Sequence, residues 1–386
     1  MKKVLIVAPF CSLPGEAYFN RFLYLAQLLS SSFDVTLLTS SFRHFDKSQR
    51  AESFAGLPYR VVLIPEPGYR DNISISRVYS HWKFVRNFKK WMRREFLSKR
   101  YDVVYSAYPL LQTNILLGAE KKKYGYKLIV DVQDIWPEAL AGALPFIGRI
   151  PQKLLPFSRR ANLAYAAADE LIAVSDTYLK RAGEANGWAP GKVIYIGSDA
   201  ERINSISPRI LEAKSLNFVY LGTLGHSYDL RTVLLAFAQF HELHLDFRLH
   251  ILGDGPLKGE LMKLASPLVK FYGFVNYDEM IAIAKGADCL INPINKSAKQ
   301  SVTNKLSDYI LLQKPIISSQ KNPEAISILE KAGAIYYEAG DVQSFIEAVD
   351  VASSNLYRAM PQELINLFDR RLSYEHIRGL IESAAS

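Results

Sequence analysis

Residues 128–140 read LIVDVQDIWPEAL. Leu128, Ile129, Val130 and Val132 form an apolar run that reads as a buried strand. The run passes directly into Gln133, Asp134, Trp136, Pro137 and Glu138, with Asp131 already inside it. A core strand that ends in acids, an amide and an indole suits an open parallel sheet, because ligands of such sheets bind beyond the carboxyl ends of the strands. By alternation Asp131 reads as structural, whereas Asp134 faces the strand-end loop. Pro137 and Glu138 fit the first turn of a helix, where proline is tolerated and an acid suits the dipole.

The same pattern recurs along the chain. Strands are expected at KVLIVAPF, FDVTLLTS, YRVVLIP, DVVYSAY, KLIVDVQD, ELIAVS and KVIYIG in the first half, with amphipathic stretches such as YFNRFLYLAQLLSS between them. A second series follows in NFVYLGTLG, FRLHILGDG, VKFYGFV, CLINPI, KPIISS and AIYYEAG. Strands alternating with helices imply parallel sheets covered on both faces. Two series imply two doubly wound α/β domains, 1–198 and 199–360, with the seam inside the polar stretch 197–217.

Composition narrows the function. The 386 residues are 49% hydrophobic and 22% charged, which is ordinary for a globular protein. Two distant cysteines, Cys11 and Cys289, support neither a disulfide framework nor a cysteine metal site. The opening MKKVLIVAPF is too short in its apolar run for a secretory signal, and no stretch reaches transmembrane length, so a cytoplasmic protein is expected. Of the net charge of +9, residues 1–200 hold 28 Lys+Arg against 17 Asp+Glu, and residues 201–386 hold 19 against 21. The whole excess therefore lies in the first half, which should face something anionic.

Several chemistries lack their signatures. There is no GxxxxGK[ST], no GxGxxG after the first strand, and no DxD for a metal-bridged nucleotide, so no metal and no cofactor is expected. The second half instead carries features suited to a nucleotide diphosphate. Gly222 and Gly225 flank a strand end, where backbone can approach a phosphate closely. Gly253 opens another glycine-rich strand-end loop, GDGPLKG. Thr303 and Asn304 stand at the start of an expected helix, whose free N–H groups and dipole favour an anion. Lys305 adds a charge there, and Asp308 lies on the same helical side, placed to accept hydrogen bonds from ribose hydroxyls.

These stretches resemble family 4 glycosyltransferases, of the two-domain architecture called GT-B, in which two Rossmann-like domains face each other across a cleft. The branch it is most similar to builds bacterial polysaccharide, such as lipopolysaccharide and capsule, on lipid carriers. LYLAQLL, DVQDIWPEAL, IAVSDTYLKR, YLGTLGHSYDL, LHILGDGP, FYGFVNYDEM and TNKLSDYILLQKPII carry the resemblance, in order, over nearly the whole chain. It implies a first domain for the acceptor, a second for the nucleotide sugar, and a last helix, 361–386, crossing back to the first. It implies Asp308 at the ribose, Lys305 at the diphosphate, Gly222, Thr223 and Leu224 along the phosphates, and Phe274 at the base. It further implies a UDP-linked donor and metal-independent transfer with retention. Asp134 would act on the acceptor hydroxyl or the sugar, with Trp136, Gly15 and Glu16 on the acceptor side. The chain departs from the family at Gln300, where the earlier of two acids is usual, and at Thr223 and His226–Tyr228, where a basic pair is usual.

The basic excess centres on WKFVRNFKKWMRREFLSKR, residues 82–100, with eight basic residues against Glu95. Trp82, Val85, Phe88, Met92 and Phe96 recur at helical spacing, so the segment reads either as a core-packed helix with a solvated face or as an interfacial helix on anionic lipid. GRIPQKLLPFSRR, residues 148–160, is a second such candidate. No nucleic-acid reader motif accompanies them. His241, His244 and His250 read as a helix end, a loop and a strand residue rather than as a zinc site. The expectation is a transferase, peripheral on the inner face of the plasma membrane, that uses a lipid-linked saccharide acceptor. Two alternatives stay open: a GT-B epimerase or hydrolase, which would consume donor without acceptor, and a non-catalytic subunit, which would bind nucleotide and form no product.

Overall fold

The computed structural model describes residues 1–16, 21–50, 54–72, 74–138, 155–187, 189–212, 214–296, 298, 302–354 and 359–386. Gln300 and most of the second basic candidate, residues 148–154, lie outside the described residues. The chain divides into two compact units, residues 1–194 with 374–386, and residues 195–373.

The first unit contains β1 (Lys3–Val7), β2 (Asp34–Ser40), β3 (Phe42–Arg43), β4 (Ser48–Gln49), β5 (Arg60–Ile64), β6 (Val103–Tyr108), β7 (Lys127–Val132), β8 (Glu170–Ala173) and β9 (Gly191–Val193). Seven of these form one sheet in the order β5-β2-β1-β6-β7-β8-β9, with parallel pairing throughout. β3 and β4 form a separate antiparallel hairpin that the sequence reading did not anticipate. The second unit contains β10 (Leu216–Leu221), β11 (Phe247–Leu252), β12 (Val269–Gly273), β13 (Cys289–Asn292), β14 (Ile316–Ser318) and β15 (Ile335–Tyr336), ordered β12-β11-β10-β13-β14-β15 and again parallel. Strand order reverses between β1 and β6 and between β10 and β13. Such switch points open a crevice at the carboxyl edge of each sheet.

β7 shows how the quoted stretch builds its core. Leu128, Val130 and Val132 pack in one layer with Phe84, Phe88 and Met92 of the helix Ile75–Ser98. Ile129 points into the opposite layer, with Phe22, Leu25, Ile377 and Ile381. Asp131 shares that second face and is fully buried. A lone carboxylate there would be costly, and Arg21, also buried, pairs with it at 2.8 Å. The Tyr105 hydroxyl donates to the same Asp131 oxygen at 2.7 Å. Burial works against the guanidinium charge, but Asp131, Tyr105 and Tyr374 outweigh it and hold the Arg21 pKa above its ordinary value. Arg21 also donates to the Ile194 carbonyl at 2.7 Å and lies 5.1 Å from the Tyr374 ring centroid. Ile194 and Tyr374 are the residues at which the chain leaves and re-enters this unit.

The first division falls four residues before the one read in the sequence, and the return to the first unit falls thirteen residues later than expected. Residues 195–198 and 361–373 belong to the second unit, because they hold each other: the Ser198 N–H donates to the Phe368 carbonyl, the Arg370 N–H donates to the Ser198 carbonyl, and Tyr195 stacks on Phe368 at 4.9 Å. Only residues 374–386 return to the first unit, where Tyr374, Ile377, Ile381 and Ala385 fill its core.

Asp131→Asn leaves the Arg21 charge buried without its counter-ion. We expect it to lower stability by about 3–5 kcal/mol, read as a shift of the first unit's urea transition. An unchanged transition would contradict the anchoring role given to this pair.

Candidate functional site

The glycine-rich loops of the second unit are shaped by backbone packing on backbone. Gly222 and Gly253 have φ of +138° and +141°, in the region that favours glycine. The Gly222 N–H donates to the Leu252 carbonyl, and the Gly253 N–H to the Gly273 carbonyl. A Cβ on Gly253 would lie 1.8 Å from the Gly222 oxygen, so no side chain is possible there. Leu224 is fully buried, its N–H donating to Asp254 and its carbonyl accepting from Leu257. Gly253 and Leu224 therefore set the shape of the loop, and Leu224 has no main-chain hydrogen-bonding group left to offer a ligand. Thr223 is the exposed residue at the tip. Its carbonyl accepts from the buried Tyr220 hydroxyl at 2.8 Å.

The helix Asn304–Leu312 begins after Thr303, which is in extended conformation with no side-chain cap hydrogen bond. The structure brings Lys305 of this helix to the loop after β10: a Cβ on Gly222 would lie 3.8 Å from its Nζ. The amine is buried and, among the described residues, has no hydrogen-bond acceptor. It lies 3.9 Å from the Tyr228 ring centroid and 4.6 Å from that of Tyr220. Two aromatic faces attract a cation, but they do not replace its water. Burial consequently pushes the Lys305 pKa well down.

One turn on, Asp308 is also buried. Its Oδ1 accepts from the Ser198 hydroxyl at 2.6 Å and the Tyr277 hydroxyl at 2.8 Å. Burial raises its pKa, and these two bonds and Arg370 oppose that rise. Both bonds arrive at one carboxylate oxygen. Phe274, after β12, is 74% exposed, and Asn276 caps the helix Tyr277–Gly286 behind it. Asn304 is exposed at the head of its helix. His241, His244 and His250 lie apart at a helix end, in a turn and in β11.

Two family models match the chain. Glycosyltransferase Family 4 matches residues 20–202, and Glycosyl transferases group 1 matches residues 215–355. The chain is a GT-B glycosyltransferase. Among solved structures it is similar to a sucrose-phosphate synthase from Thermosynechococcus elongatus, with 14% identity, a TM-score of 0.70 and 100% of each chain covered. It is similar also to Anabaena HepE in complex with UDP, with 16% identity, a TM-score of 0.66, and 99% of this chain and 100% of that one covered. A third is the lipopolysaccharide outer core galactosyltransferase WaaB, with 15% identity, a TM-score of 0.61 and 99% of each chain covered. No curated protein sequence matches the chain.

In this glycosyltransferase the first unit's strand-end residues differ in how free they are. Asp134 is half-buried and its Oδ1 accepts from the Ile135 N–H at 2.8 Å. Burial raises its pKa, Glu138 adds to that, and the one backbone bond opposes it. Trp136 is half-buried against the first core layer, which leaves only part of its face available. Residues 136–138 form a turn, not the expected first helical turn, and Glu138 pairs with Arg181. Gly15 takes φ of +85° in a turn. Glu16 is engaged throughout: Arg50 Nε and Nη2 donate to its two oxygens at 2.6 and 2.7 Å, and the Leu13 N–H donates at 3.0 Å. Burial raises its pKa, but these partners bring it below the ordinary value. Glu16 thus locks the loop after β1 instead of presenting a free acid.

Sequence reasoning passed over Ser198, Tyr277 and Arg370 around Asp308, and Tyr220 beneath Lys305. Tyr220 carried a signal, since it lies in the strand that feeds Gly222. Ser198 and Arg370 carried none, because their proximity to Asp308 is made by distant segments.

Lys305→Met removes a buried amine that has no acceptor among the described residues, so we expect the unliganded enzyme to gain about 1–3 kcal/mol at pH 7. In the wild type the folded pKa lies below the unfolded value of about 10.4, so between the two the unfolded chain binds the extra proton and stability rises with pH. Urea midpoints measured across that window should rise in the wild type and stay flatter in the variant. Parallel profiles would contradict a buried, unpaired amine.

Proposed function

We propose that the enzyme transfers a sugar from a UDP-linked donor to a lipid-linked saccharide in cell-surface polysaccharide synthesis, with retention at the anomeric carbon and without a metal. The observation that carries this reading is the buried amine of Lys305, without an acceptor among the described residues, beside Gly222 at the switch point of the second unit. A diphosphate is the counter-ion that such an amine lacks. Binding one there restores the charged form and spreads the negative charge that grows as the diphosphate leaves. Asp308 would take the ribose hydroxyls, and Phe274 would cover the base. The N-terminus of the helix Asn304–Leu312 would add its positive end. That HepE was solved with UDP, and that WaaB is described as acting on lipopolysaccharide, supports the choice of donor and acceptor class.

On the acceptor side Asp134 would hold the incoming hydroxyl, which attacks from the face that the diphosphate leaves. The hydroxyl proton then passes to the departing phosphate oxygen, so the protein needs to orient the acceptor more than to take its proton. The raised pKa of Asp134 fits a carboxyl that positions by hydrogen bonding.

For the lipid, the helix Ile75–Ser98 carries two faces. Phe84, Phe88, Met92 and Phe96 are buried, while Ile75, Val78 and Trp82 are 90%, 71% and 52% exposed. Lys83 and Arg86 flank the Trp82 ring at 5.5 and 5.7 Å. An exposed apolar row bordered by cations matches the boundary of an anionic bilayer, with the enzyme peripheral on the inner leaflet. No described helix is long and apolar enough to cross a membrane.

Calorimetry without added metal is expected to show UDP binding that falls by about tenfold or more in Asp308→Ala, a loss of at least one charge-assisted hydrogen bond. Asp134→Ala should bind UDP as the wild type does and lose transfer. Equal UDP affinity in the Asp308 variant, or full turnover in the Asp134 variant, removes the respective assignment. Val78→Ser with Trp82→Ala should weaken sedimentation with phosphatidylglycerol vesicles by about tenfold. Undiminished sedimentation would place the membrane contact elsewhere.

A further inference from the structure

A group of side chains at the carboxyl edge of the first sheet has no part in the roles above. Phe10 follows β1, at the switch point, and is 37% exposed. His44 of the β3–β4 hairpin and His81 of the helix Ile75–Ser98 lie 5.0 and 5.6 Å from its ring, each tilted by 49°. Tyr69, after β5, closes the group. Its ring lies 5.7 Å from His44 and 5.5 Å from His81, and its hydroxyl is hydrogen-bonded to His44 Nδ1. Lys47 Nζ is 4.9 Å and the Arg77 guanidinium 5.6 Å from the Tyr69 centroid. Behind them Glu66 is buried, accepting from the hydroxyls of Ser40 at 2.6 Å and Ser80 at 2.8 Å, with His81 Nε2 3.9 Å away.

Two cations stand beside the imidazoles of this group. Burial, then Lys47 and Arg77, push the His44 pKa down to about 4. Burial, then Arg77 and His44, push His81 down to about 4. Both imidazoles are neutral at pH 7, so each ring has one N–H donor and one acceptor nitrogen. Burial also raises the Glu66 pKa. Lys47 and Arg77 bring two cations to the group, with Glu66 behind them and Asp71 near Lys47.

A sugar ring has an apolar C–H face and a rim of hydroxyls, and a phosphate on it adds an anion. Their recognition needs an exposed aromatic plane, neutral groups that both donate and accept, and fixed cations. Phe10 offers the plane, the half-buried His44 the neutral polar edge, and Lys47 and Arg77 the cations. We infer that Phe10, His44, Tyr69 and His81, with Lys47 and Arg77, form a subsite for a phosphorylated sugar ring of the acceptor. The inference rests on the transferase reading given above and names the chemical class of its acceptor. A cluster that merely pinned the hairpin would have no use for an exposed Phe10 ring.

The test is a titration of histidine-labelled protein with N-acetylglucosamine 1-phosphate, reading the imidazole resonances of His44 and His81, each assigned by its glutamine variant. The expected result is a saturable shift of both resonances. N-acetylglucosamine and inorganic phosphate should each bind at least about tenfold more weakly. Phe10→Ala should abolish the response and leave UDP affinity, measured on the same samples, unchanged. No shift up to about 10 mM sugar phosphate, with UDP still binding, would overturn the subsite. So would a response that survives Phe10→Ala, or one that inorganic phosphate reproduces. Absence of UDP binding in the wild type would instead remove the transferase reading. A citronellyl diphosphate-linked N-acetylglucosamine separates the sources: tighter binding than the monophosphate assigns a lipid-linked acceptor, and equal binding assigns a free sugar phosphate.

Discussion

A lysine amine buried without a counter-ion is an unstable arrangement, and the second unit is organised around one. Lys305 is held between the rings of Tyr220 and Tyr228 and beside the backbone of Gly222, with no acceptor among the described residues. Its surroundings are rigid for stated reasons. Tyr220 is tied to Thr223, Gly222 to Leu252, and Gly253 can approach Gly222 only because it has no side chain. Such rigidity leaves the amine no partner among the described residues, which suits the proposed role in binding a ligand. Strain of this kind is retained at sites where binding relieves it.

The first unit holds the opposite solution to the same problem. Arg21 is as deeply buried, yet Asp131 pairs with it, Tyr105 donates to the same carboxylate oxygen, and the Ile194 carbonyl takes another of its N–H groups. That cation is structural and anchors both points where the chain passes out of the unit and back. A buried charge points to function where the described fold gives it no partner. By this standard Lys305 stands apart from Arg21, and Asp134, with one backbone bond, stands apart from Glu16, with three bonds to Arg50 and Leu13.

The fold was legible because strands buried on both faces of a parallel sheet are written as unbroken apolar runs. The runs ending at Val132, Leu221 and Asn292 could hardly be read otherwise. The β3–β4 hairpin was not legible, since two-residue strands carry no periodicity. Within the site, residue type and position could be read but environment could not. Glu16 looks like a free acid until Arg50 is folded onto it. Lys305 looks like any surface lysine until Tyr220 of β10 and Tyr228 of the loop after it enclose it. His44 and His81 stand far apart in the chain and meet only because the sheet places the loops after β1, β2 and β5 side by side.

The central claim is that the Lys305 amine meets the diphosphate. Comparison of UDP with UMP, in the wild type and in Lys305→Met, tests this most directly. If the claim holds, the wild type prefers UDP by about tenfold or more, and the variant binds the two nucleotides about equally, losing the difference and little else. A variant that keeps the full preference for UDP would show that the second phosphate is recognised by other groups, and the account of the buried amine would fail.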